Sequence, residues 1–487
     1  MQIASVASEM MPFAQTGGLG DVTGALPPVL ARLGHQITAV LPKYRTINPE
    51  RHALVRRREE IRVPLGDTRT EAADLWEGRW RGVRVILLDH AGFYDREGLY
   101  QENGVDYPDN AERFIFFSRG VLEALKVLDL RPDVIHCHDW QSGLIPPYLK
   151  TVYGGDAFFA DVASLLTIHN LGYQGLFPAA VFPLTGLPHG LFAPHGVEFW
   201  GKVNFLKAGL VYADLLTTVS VTYSQEIQTP EFGCGLDSVI RQRAADLYGV
   251  LNGVDYQDWN PTTDPYLVAT YSSEDLSGKA ACKRDIQQVM DLPPRADVPL
   301  LAVISRLAYH KGIDLIVAIA ERLLSLDVQM VLLGTGEVEL ERALQVLQRR
   351  FPDRLAVRIG FDVALSHKIQ AGADMLLMPS RYEPCGLGQM YSLAYGTVPV
   401  VRATGGLADT IIPFDPAAGT GNGFTFIDAE AEDLLRALHQ AITLFRERAI
   451  WSRLMTNGMA ADFSWERPAR EYERLYRAAL ERRHPTP

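Results

Sequence analysis

Residues 2–41 read QIASVASEMMPFAQTGGLGDVTGALPPVLARLGHQITAVL, and this stretch decides the fold. The apolar run Gln2–Ala7 predicts a strand, and after the turn Gly17–Gly20 the apolar residues recur at helical spacing. A second apolar run, Gln36–Leu41, follows the helix. The stretch therefore predicts a strand, a glycine-rich loop, a helix that kinks or restarts at Pro27-Pro28, and a parallel strand.

The same alternation of apolar runs and helical stretches continues along the chain. In the first series the further runs are 83–88, 134–136, 164–168 and 215–219. A second series begins near Pro299, with runs at 300–304, 329–333, 356–359 and 375–378. Strands that alternate with helices form parallel sheets. The sequence thus predicts an α/β protein of two Rossmann-like, doubly wound domains.

The boundary between the two series is predicted near residue 249. The segment 249–255, GVLNGVD, separates the series, and the polar, proline-containing stretch Asn260–Pro265 follows it. A chain of 487 residues exceeds what one hydrophobic core usually organises, which favours two domains. We expect an N-terminal domain over 1–248 and a C-terminal domain over 249–465.

Composition limits the class of function. The formal charge of −11 argues against a nucleic-acid surface, because phosphate backbones attract clustered Lys and Arg. The four cysteines are widely separated, which indicates free thiols in a reducing compartment. The first basic residue is Arg32, so no signal peptide is expected, and no apolar run is long enough to cross a membrane. The sequence predicts a cytoplasmic protein.

Two polar segments follow strands of the second series. The first carries Arg306 and Lys311, and the second carries Glu383 followed by three residues, Gly386–Gly388, that open a helix. Ligands of open α/β sheets bind at the carboxyl ends of the strands, where two fixed cations neutralise a diphosphate without a metal. Glycines at a helix start leave N–H groups for phosphate oxygens. The alternatives are a solvated turn and a glutamate that only caps the helix.

Polar groups also follow strands of the first series. The loop Gly17–Asp21 brings backbone N–H groups near an anion, although a tight turn explains such a loop equally well. His136, His138 and His169 end two strands, and a zinc site is the metal-binding alternative for this spacing. Because no carboxylate or cysteine completes a tetrahedron and no Asp-x-Asp triplet occurs, the sequence favours sugar contacts and no metal.

Together these motifs resemble the family of bacterial glycogen synthases and plant starch synthases. The resemblance runs nearly end to end and is carried by Thr16–Val22, His138–Trp140, Thr167–Asn170, Leu251–Asp255, Arg306 with Lys311-Gly312, Glu383–Leu387 and Thr404–Thr410. It implies a GT-B fold, in which the two domains face each other across a cleft. It also implies that a final helix, 466–487, returns to the N-terminal domain.

The resemblance implies an activity and a role for each site residue. The activity is transfer of glucose from ADP-glucose to the non-reducing end of an α-1,4-glucan, with retention of configuration and without cofactor or metal. The implied catalytic residues are His169, Asp139, Glu383, Arg306 and Lys311. The implied donor-binding residues are Gln15, Gly17, Gly18, Asp21, Asn252, Phe361, Cys385, Gly386, Leu387 and Gly388. Of the donor-binding residues Phe361 packs near the adenine, and of the catalytic residues His169 lies near the glucose 6-hydroxyl.

Three positions bear on the assignment. The family usually has Lys where this chain has Gln15, and Thr where it has Gly388. A wider group of retaining GT-B enzymes carries a second Glu eight residues after the first, and Tyr391 stands there in this chain. Tyr391 favours the glycogen synthase branch, whereas Gln15 leaves open a preference for UDP-glucose. Gln15 also leaves open a glucan-binding or regulatory protein on an inactive GT-B scaffold. A phosphorolytic enzyme with pyridoxal phosphate is a further alternative.

Overall fold

The computed structural model describes residues 1–483, and the chain forms two compact units. Unit 1 comprises Met1–Gly253 together with the chain from Trp465 onward, and unit 2 comprises Val254–Ser464. Each unit is α/β, with a sheet that is parallel throughout in unit 2 and parallel except at β4 and β3 in unit 1, so the predicted fold class is confirmed. The division predicted from the sequence stays a proposal, and residues 484–487 of its final helix lie outside the described residues.

Unit 1 is built on a large mixed sheet. Its strands are β1 (Gln2–Val6), β2 (Gln36–Pro42), β3 (Val55–Leu65), β4 (Arg69–Trp80), β5 (Val83–Asp89), β6 (Gln101–Glu102), β7 (Val105–Asp106), β8 (Val134–His138), β9 (Ala163–Ile168), β10 (Leu176–Pro178), β11 (Glu198–Phe199), β12 (Lys202–Asn204), β13 (Leu215–Thr218) and β14 (Leu247–Gly249). The main sheet has the order β14-β13-β9-β8-β1-β2-β5-β4-β3, parallel as far as β5 and antiparallel beyond it. Small sheets pair β6 with β7 and order three strands as β10-β12-β11.

The helices of unit 1 pack on this sheet. They are α1 (Gly18–Arg32), α2 (Ala91–Tyr94), α3 (Asn110–Val127), α4 (Ile145–Lys150), α5 (Phe182–Thr185), α6 (Phe205–Tyr212), α7 (Val221–Glu226) and α8 (Asp237–Gln242). The sequence predicted a kink or restart at Pro27-Pro28. The helix does not restart there, because α1 is continuous across both prolines and buries them, and the kink stays a prediction. The central strands β8 and β9 are buried along their whole length, as expected for strands covered on both faces.

Unit 2 has a smaller sheet in which all neighbouring strands are parallel. Its elements are α9 (Ser277–Val289), β15 (Leu300–Ile304), α10 (Ile313–Ser325), β16 (Gln329–Gly334), α11 (Val338–Arg350), β17 (Leu355–Ile359), α12 (Val363–Gly372), β18 (Met375–Met378), α13 (Gly388–Ala394), β19 (Val398–Arg402), α14 (Gly405–Thr410), β20 (Phe424–Phe426), α15 (Ala431–Phe445) and α16 (Arg448–Met459). The strand order is β17-β16-β15-β18-β19-β20. The order reverses beside β15, which is where open α/β sheets bind ligands.

The last described helix, α17 (Glu466–Arg483), belongs to unit 1. It packs against β8, β9, β13 and α1. Its core-facing residues are Ala469, Tyr472, Leu475, Tyr476 and Ala479. Across residues 1–483, every helix is too short or too polar to cross a membrane.

Candidate active site

A carboxylate that sequence reasoning missed organises the glycine-rich loop of unit 1. Glu9 is only 3% exposed. Its Oε2 accepts hydrogen bonds from the backbone N–H of Thr16 at 2.6 Å and of Gly17 at 3.3 Å, and its Oε1 accepts from the hydroxyls of Thr16 and Tyr100. The loop is therefore held by hydrogen bonds to the buried side chain of Glu9. A single charged residue inside the apolar stretch Ala7–Ala14 was the available signal.

The loop also depends on missing side chains for its packing. A Cβ at Gly20 would lie 2.9 Å from Cγ of Gln15, and a Cβ at Gly24 would lie 2.7 Å from the carbonyl oxygen of Met11. Gly17, by contrast, has open space on its Cβ side. Gln15 is half-buried and donates from Nε2 to the carbonyl of Gly17 at 3.2 Å. Close packing against Gln15 therefore explains the glycine at position 20. At position 17 no neighbouring atom requires a glycine.

The opening of α1 places two more of the expected donor residues. Gly18 is the first residue of α1 and is exposed, and Asp21 lies in the first turn and is half-buried. Asn252 is buried, and its Oδ1 accepts no hydrogen bond from any residue between 1 and 483.

Asp139 has the most unusual backbone of the predicted site residues. It follows β8 with φ 56° and ψ −168°, a region that is essentially restricted to glycine. Its Oδ1 accepts from the backbone N–H of His169 at 2.7 Å and of Asn170 at 3.4 Å. Burial raises the pKa of Asp139 to about 7. The ends of β8 and β9 are therefore joined through a carboxyl group that titrates near neutrality.

The three predicted histidines lie together beside Asp139. Nδ1 of His138 is 2.9 Å from Nε2 of His169, and Nε2 of His138 is 3.3 Å from the hydroxyl of Ser5. His136 binds Tyr476 of α17 at 2.9 Å and Thr167 at 2.6 Å. Burial lowers the pKa of His169 to about 3, so its imidazole is neutral at physiological pH.

Hydrogen bonds therefore occupy ring nitrogens of all three histidines. In the described part of the chain, no group of three or more His, Cys, Asp or Glu side chains is arranged to bind a metal ion. A neutral imidazole carries one N–H donor and one acceptor nitrogen. Nε2 of His169 is used by His138, which leaves Nδ1 as the nitrogen of that ring outside this contact.

In unit 2 the predicted cation and carboxylate form one cluster. Nζ of Lys311 lies 2.8 Å and 2.7 Å from the two carboxylate oxygens of Glu383, and the hydroxyl of Ser380 donates to Oε2 at 2.9 Å. Both members of the ion pair are largely buried, with side chains 17% and 7% exposed. Ser380 was not predicted. The pair joins the segment after β15 to the segment after β18.

Arg306 lies in the segment after β15 that also carries Lys311. It is exposed and follows β15 by two residues. Burial lowers the pKa of His310, and the charges of Lys311 and then Arg306 lower it further. Gly312 has φ 70°, and a Cβ there would meet the carbonyl oxygen of Pro379 at 2.0 Å. This close approach needs glycine and brings the two segments together.

The loop Glu383–Gly388 rests on a second glycine turn. A Cβ on Gly405 would lie 1.9 Å from the carbonyl oxygen of Glu383, and a Cβ on Gly406 would lie 2.0 Å from that of Cys385. Cys385 is buried and Gly386 has φ 71°. Leu387 precedes α13 and Gly388 opens it, so the helix begins at the predicted turn.

Phe361 stands apart from this packing. It is 86% exposed and follows β17 and Gly360, whose φ is 140°. A large aromatic ring that is open to solvent at the carboxyl edge of a sheet is suited to stack on a planar ligand.

The comparisons with known proteins agree with this geometry. Residues 2–242 match the family model described as starch synthase catalytic domain, and residues 287–453 match the one described as glycosyl transferases group 1. The chain is 51% identical to glycogen synthase of Anaeromyxobacter sp. (strain Fw109-5), over 98% of this chain and 99% of that one. It is 48% identical to glycogen synthase of Syntrophotalea carbinolica, over 99% and 100%.

Solved structures give the same result. The catalytic domain of starch synthase IV from Arabidopsis thaliana, bound to ADP and acarbose, is 34% identical with a TM-score of 0.92, and the match covers 99% of each chain. Sucrose-phosphate synthase from Thermosynechococcus elongatus, at 18% identity and a TM-score of 0.61, shares the fold. With two Rossmann-like units and full-length relatives at about half identity, the chain belongs to the glycogen and starch synthase family of GT-B glycosyltransferases.

Proposed function

We propose that this glycosyltransferase moves glucose from ADP-glucose to the non-reducing end of an α-1,4-glucan, with retention at the anomeric carbon. The observation that carries the proposal is the buried cluster of Lys311, Glu383 and Ser380, with Arg306 in the same segment as Lys311. The Arabidopsis starch synthase IV of the same fold, whose structure holds ADP and acarbose, supports the choice of donor and acceptor class.

In the donor site proposed for unit 2, positively charged side chains take the place of a metal ion. Lys311 and Arg306 stabilise the negative charge that develops on the departing diphosphate. Glu383 holds Lys311 and accepts hydrogen bonds from glucose hydroxyls. The N–H groups of Leu387 and Gly388 bind phosphate oxygens, Cys385 and Gly386 shape that turn, and Phe361 stacks on the adenine.

The proposed roles in unit 1 concern the sugar. His169 binds the glucose 6-hydroxyl through Nδ1, and Asp139 lies close to the reacting centre. The acceptor 4-hydroxyl attacks from the face that the diphosphate leaves, and the leaving phosphate takes its proton. A double displacement through Asp139 is the alternative. The glycine loop, with Gln15, Gly17, Gly18 and Asp21, and the buried Asn252 complete the donor contacts in this proposal.

The direct test is release of ADP from ADP-glucose in the presence of glycogen, with UDP-glucose as the competing donor. Lys311→Ala should lower kcat at least about 100-fold, because a preorganised charge of this kind contributes roughly 2.7–4 kcal/mol. Lys368→Ala is the matched control, since it removes a lysine of the same unit that is paired with Asp285 and not with Glu383. Nearly full activity in Lys311→Ala would refute the diphosphate role.

A further inference from the structure

An arginine that the proposed mechanism does not use lies two residues before Glu383. The guanidinium of Arg381 forms a bidentate ion pair with Asp314 of α10, with Nη1 2.6 Å from Oδ1 and Nη2 2.8 Å from Oδ2. The two side chains are 20% and 32% exposed, so the pair is partly sheltered from water. Bidentate geometry fixes both the position and the plane of a guanidinium. Arg381 is therefore a fixed point near the carboxyl end of β18.

Arg381 is also bound to the turn that carries Lys311. Its Nη1 donates to the carbonyl oxygen of Tyr309 at 2.9 Å, and its backbone N–H donates to that of His310 at 2.9 Å. Its Cζ lies 3.8 Å from the centroid of the Tyr309 ring, close enough for a cation–π contact. Arg381 thus holds the two residues that come immediately before Lys311, both of which belong to the turn Tyr309–Lys311.

Neighbouring loops brace this link on both sides. Nη1 of Arg402, at the end of β19, donates to the carbonyl oxygen of Arg381 at 2.9 Å, and its Nε donates to that of Ile427, after β20, at 2.8 Å. On the other side, the backbone N–H of Tyr309 donates to Oε1 of Glu337, which precedes α11, at 2.9 Å. The turn before Lys311 and the segment of Arg381 are therefore parts of one braced row at the carboxyl edge of the sheet.

The ion pair of Lys311 and Glu383 is a second link between the same two segments. Nζ of Lys311 contacts both carboxylate oxygens of Glu383, at 2.8 Å and 2.7 Å. An ammonium group is a compact charge on a flexible four-carbon chain, so it does not define its own position as a planar guanidinium does. The backbone under Lys311 sets where that charge lies, and Arg381 holds that backbone.

The bonding of Arg381 fits a residue that acts through Lys311 rather than on the substrate. Three of the five N–H groups of its guanidinium are occupied, two by Asp314 and one by Tyr309. Its charge is balanced by that of Asp314, whereas a residue that stabilises a departing diphosphate has to offer its charge to the ligand.

We propose that Arg381, fixed by Asp314, is a positioning residue that holds Lys311 where its ammonium group meets the departing diphosphate. The inference rests on the role proposed for Lys311. Catalysis is sensitive to such placement, since a displacement of about 1 Å costs up to about 100-fold in rate. Loss of Arg381 therefore acts on kcat and leaves the binding of the acceptor unchanged.

The test is a double-mutant cycle in the full chain. Arg381→Met removes the guanidinium, and Arg381→Lys keeps the positive charge without the planar fork. Each variant is made in the native chain and in Lys311→Ala. Arg322→Met is the matched control, because Arg322 also lies on α10 and pairs with a carboxylate, that of Glu432, at the surface of the same unit. Release of ADP from ADP-glucose is measured with glycogen as acceptor, and Tm is measured by calorimetry.

We expect Arg381→Met to lower kcat about tenfold in the native chain and by less than about twofold in Lys311→Ala, because residues that act as one unit are not additive. Arg381→Lys should lose nearly as much as Arg381→Met. The KM for glycogen should not change, and Arg322→Met should keep native kcat. A variant that only unfolds a fraction of the molecules loses the same factor in both backgrounds, so the cycle separates positioning from stability.

Equal losses of kcat in the two backgrounds overturn the inference, and so does native kcat in Arg381→Met or in Arg381→Lys. In these cases Lys311→Ala is still inactive and the proposed function stands. Nearly full activity in Lys311→Ala has a different meaning, because it refutes the diphosphate role of Lys311 and the positioning role of Arg381 with it.

Discussion

At the scale of single residues, Asp139 joins a strained backbone to a carboxyl group whose protonation changes near neutral pH. Burial raises its pKa to about 7, whereas the pKa of His169 is lowered to about 3. The role proposed for Asp139, close to the reacting centre, is expected to require the ionised form, because only a carboxylate stabilises positive charge that develops there. We therefore predict that kcat/KM falls as the pH drops below about 7, in a profile measured from pH 5 to 9, and that His169 adds no second limb. A profile that is flat between pH 5.5 and 8 would contradict the role given to Asp139.

The raised pKa of Asp139 also predicts how the stability of the protein depends on pH. A carboxyl whose folded-state pKa lies above its ordinary value of 3.8 is destabilising once ionised, so stability is lost as pH rises from about 4 through 7. Asp139→Asn keeps an oxygen for the N–H of His169 and removes the charge. We expect a higher Tm than native at pH 8 and a difference that disappears toward pH 4, measured by calorimetry. An unchanged Tm at pH 8 would show that the charge is solvated.

Gln15 tests whether a cation is missing from the glycine loop. Its amide donates to the carbonyl of Gly17, next to the turn proposed to contact the donor. Gln15→Lys is expected to raise kcat/KM about tenfold for both ADP-glucose and UDP-glucose, since the diphosphate is common to both donors. Gln15→Met is the control. Its side chain is similar in length to that of lysine but carries no charge, so it should give no gain. A changed ratio between the two donors would place residue 15 at the nucleoside.

At the scale of elements, the sequence predicted those parts whose signal is local. The strand, glycine turn and helix over residues 2–32, and the cations after β15, were recognised because spacing and turn residues lie within a few positions. The long hairpin of β3 and β4 was missed, since β3 contains the charged run Arg56–Glu60 and reads as polar. Glu9 and Ser380 act through partners brought near by tertiary packing, which spacing alone does not reveal.

The turn before α14 supports the Glu383 segment through contact between backbones. Gly405 has φ 46°, and its missing Cβ leaves room for the carbonyl of Glu383. Gly405→Ala should move that segment and weaken the Lys311 pair, with a stability loss of roughly 1–3 kcal/mol. We expect kcat to fall more than tenfold, measured together with urea unfolding. Gly155→Ala, where a Cβ meets nothing within 4 Å, is the control. Native activity in Gly405→Ala would show that the loop adapts.

At the scale of the whole molecule, the chain completes its first unit only with its last described helix. Residues Tyr472, Leu475 and Tyr476 of α17 are fully buried in unit 1, and the hydroxyl of Tyr476 binds His136. Burying three such side chains stabilises by roughly 5–9 kcal/mol, which is comparable to the whole stability of a domain. A chain that ends at Ser464 should therefore lose the calorimetric transition of unit 1 and retain that of unit 2. Arg32→Ala, which breaks only the exposed pair with Glu466, should leave both transitions in place. If the shortened chain melts like the native one, α17 is an appendage and the fold of unit 1 is complete without it.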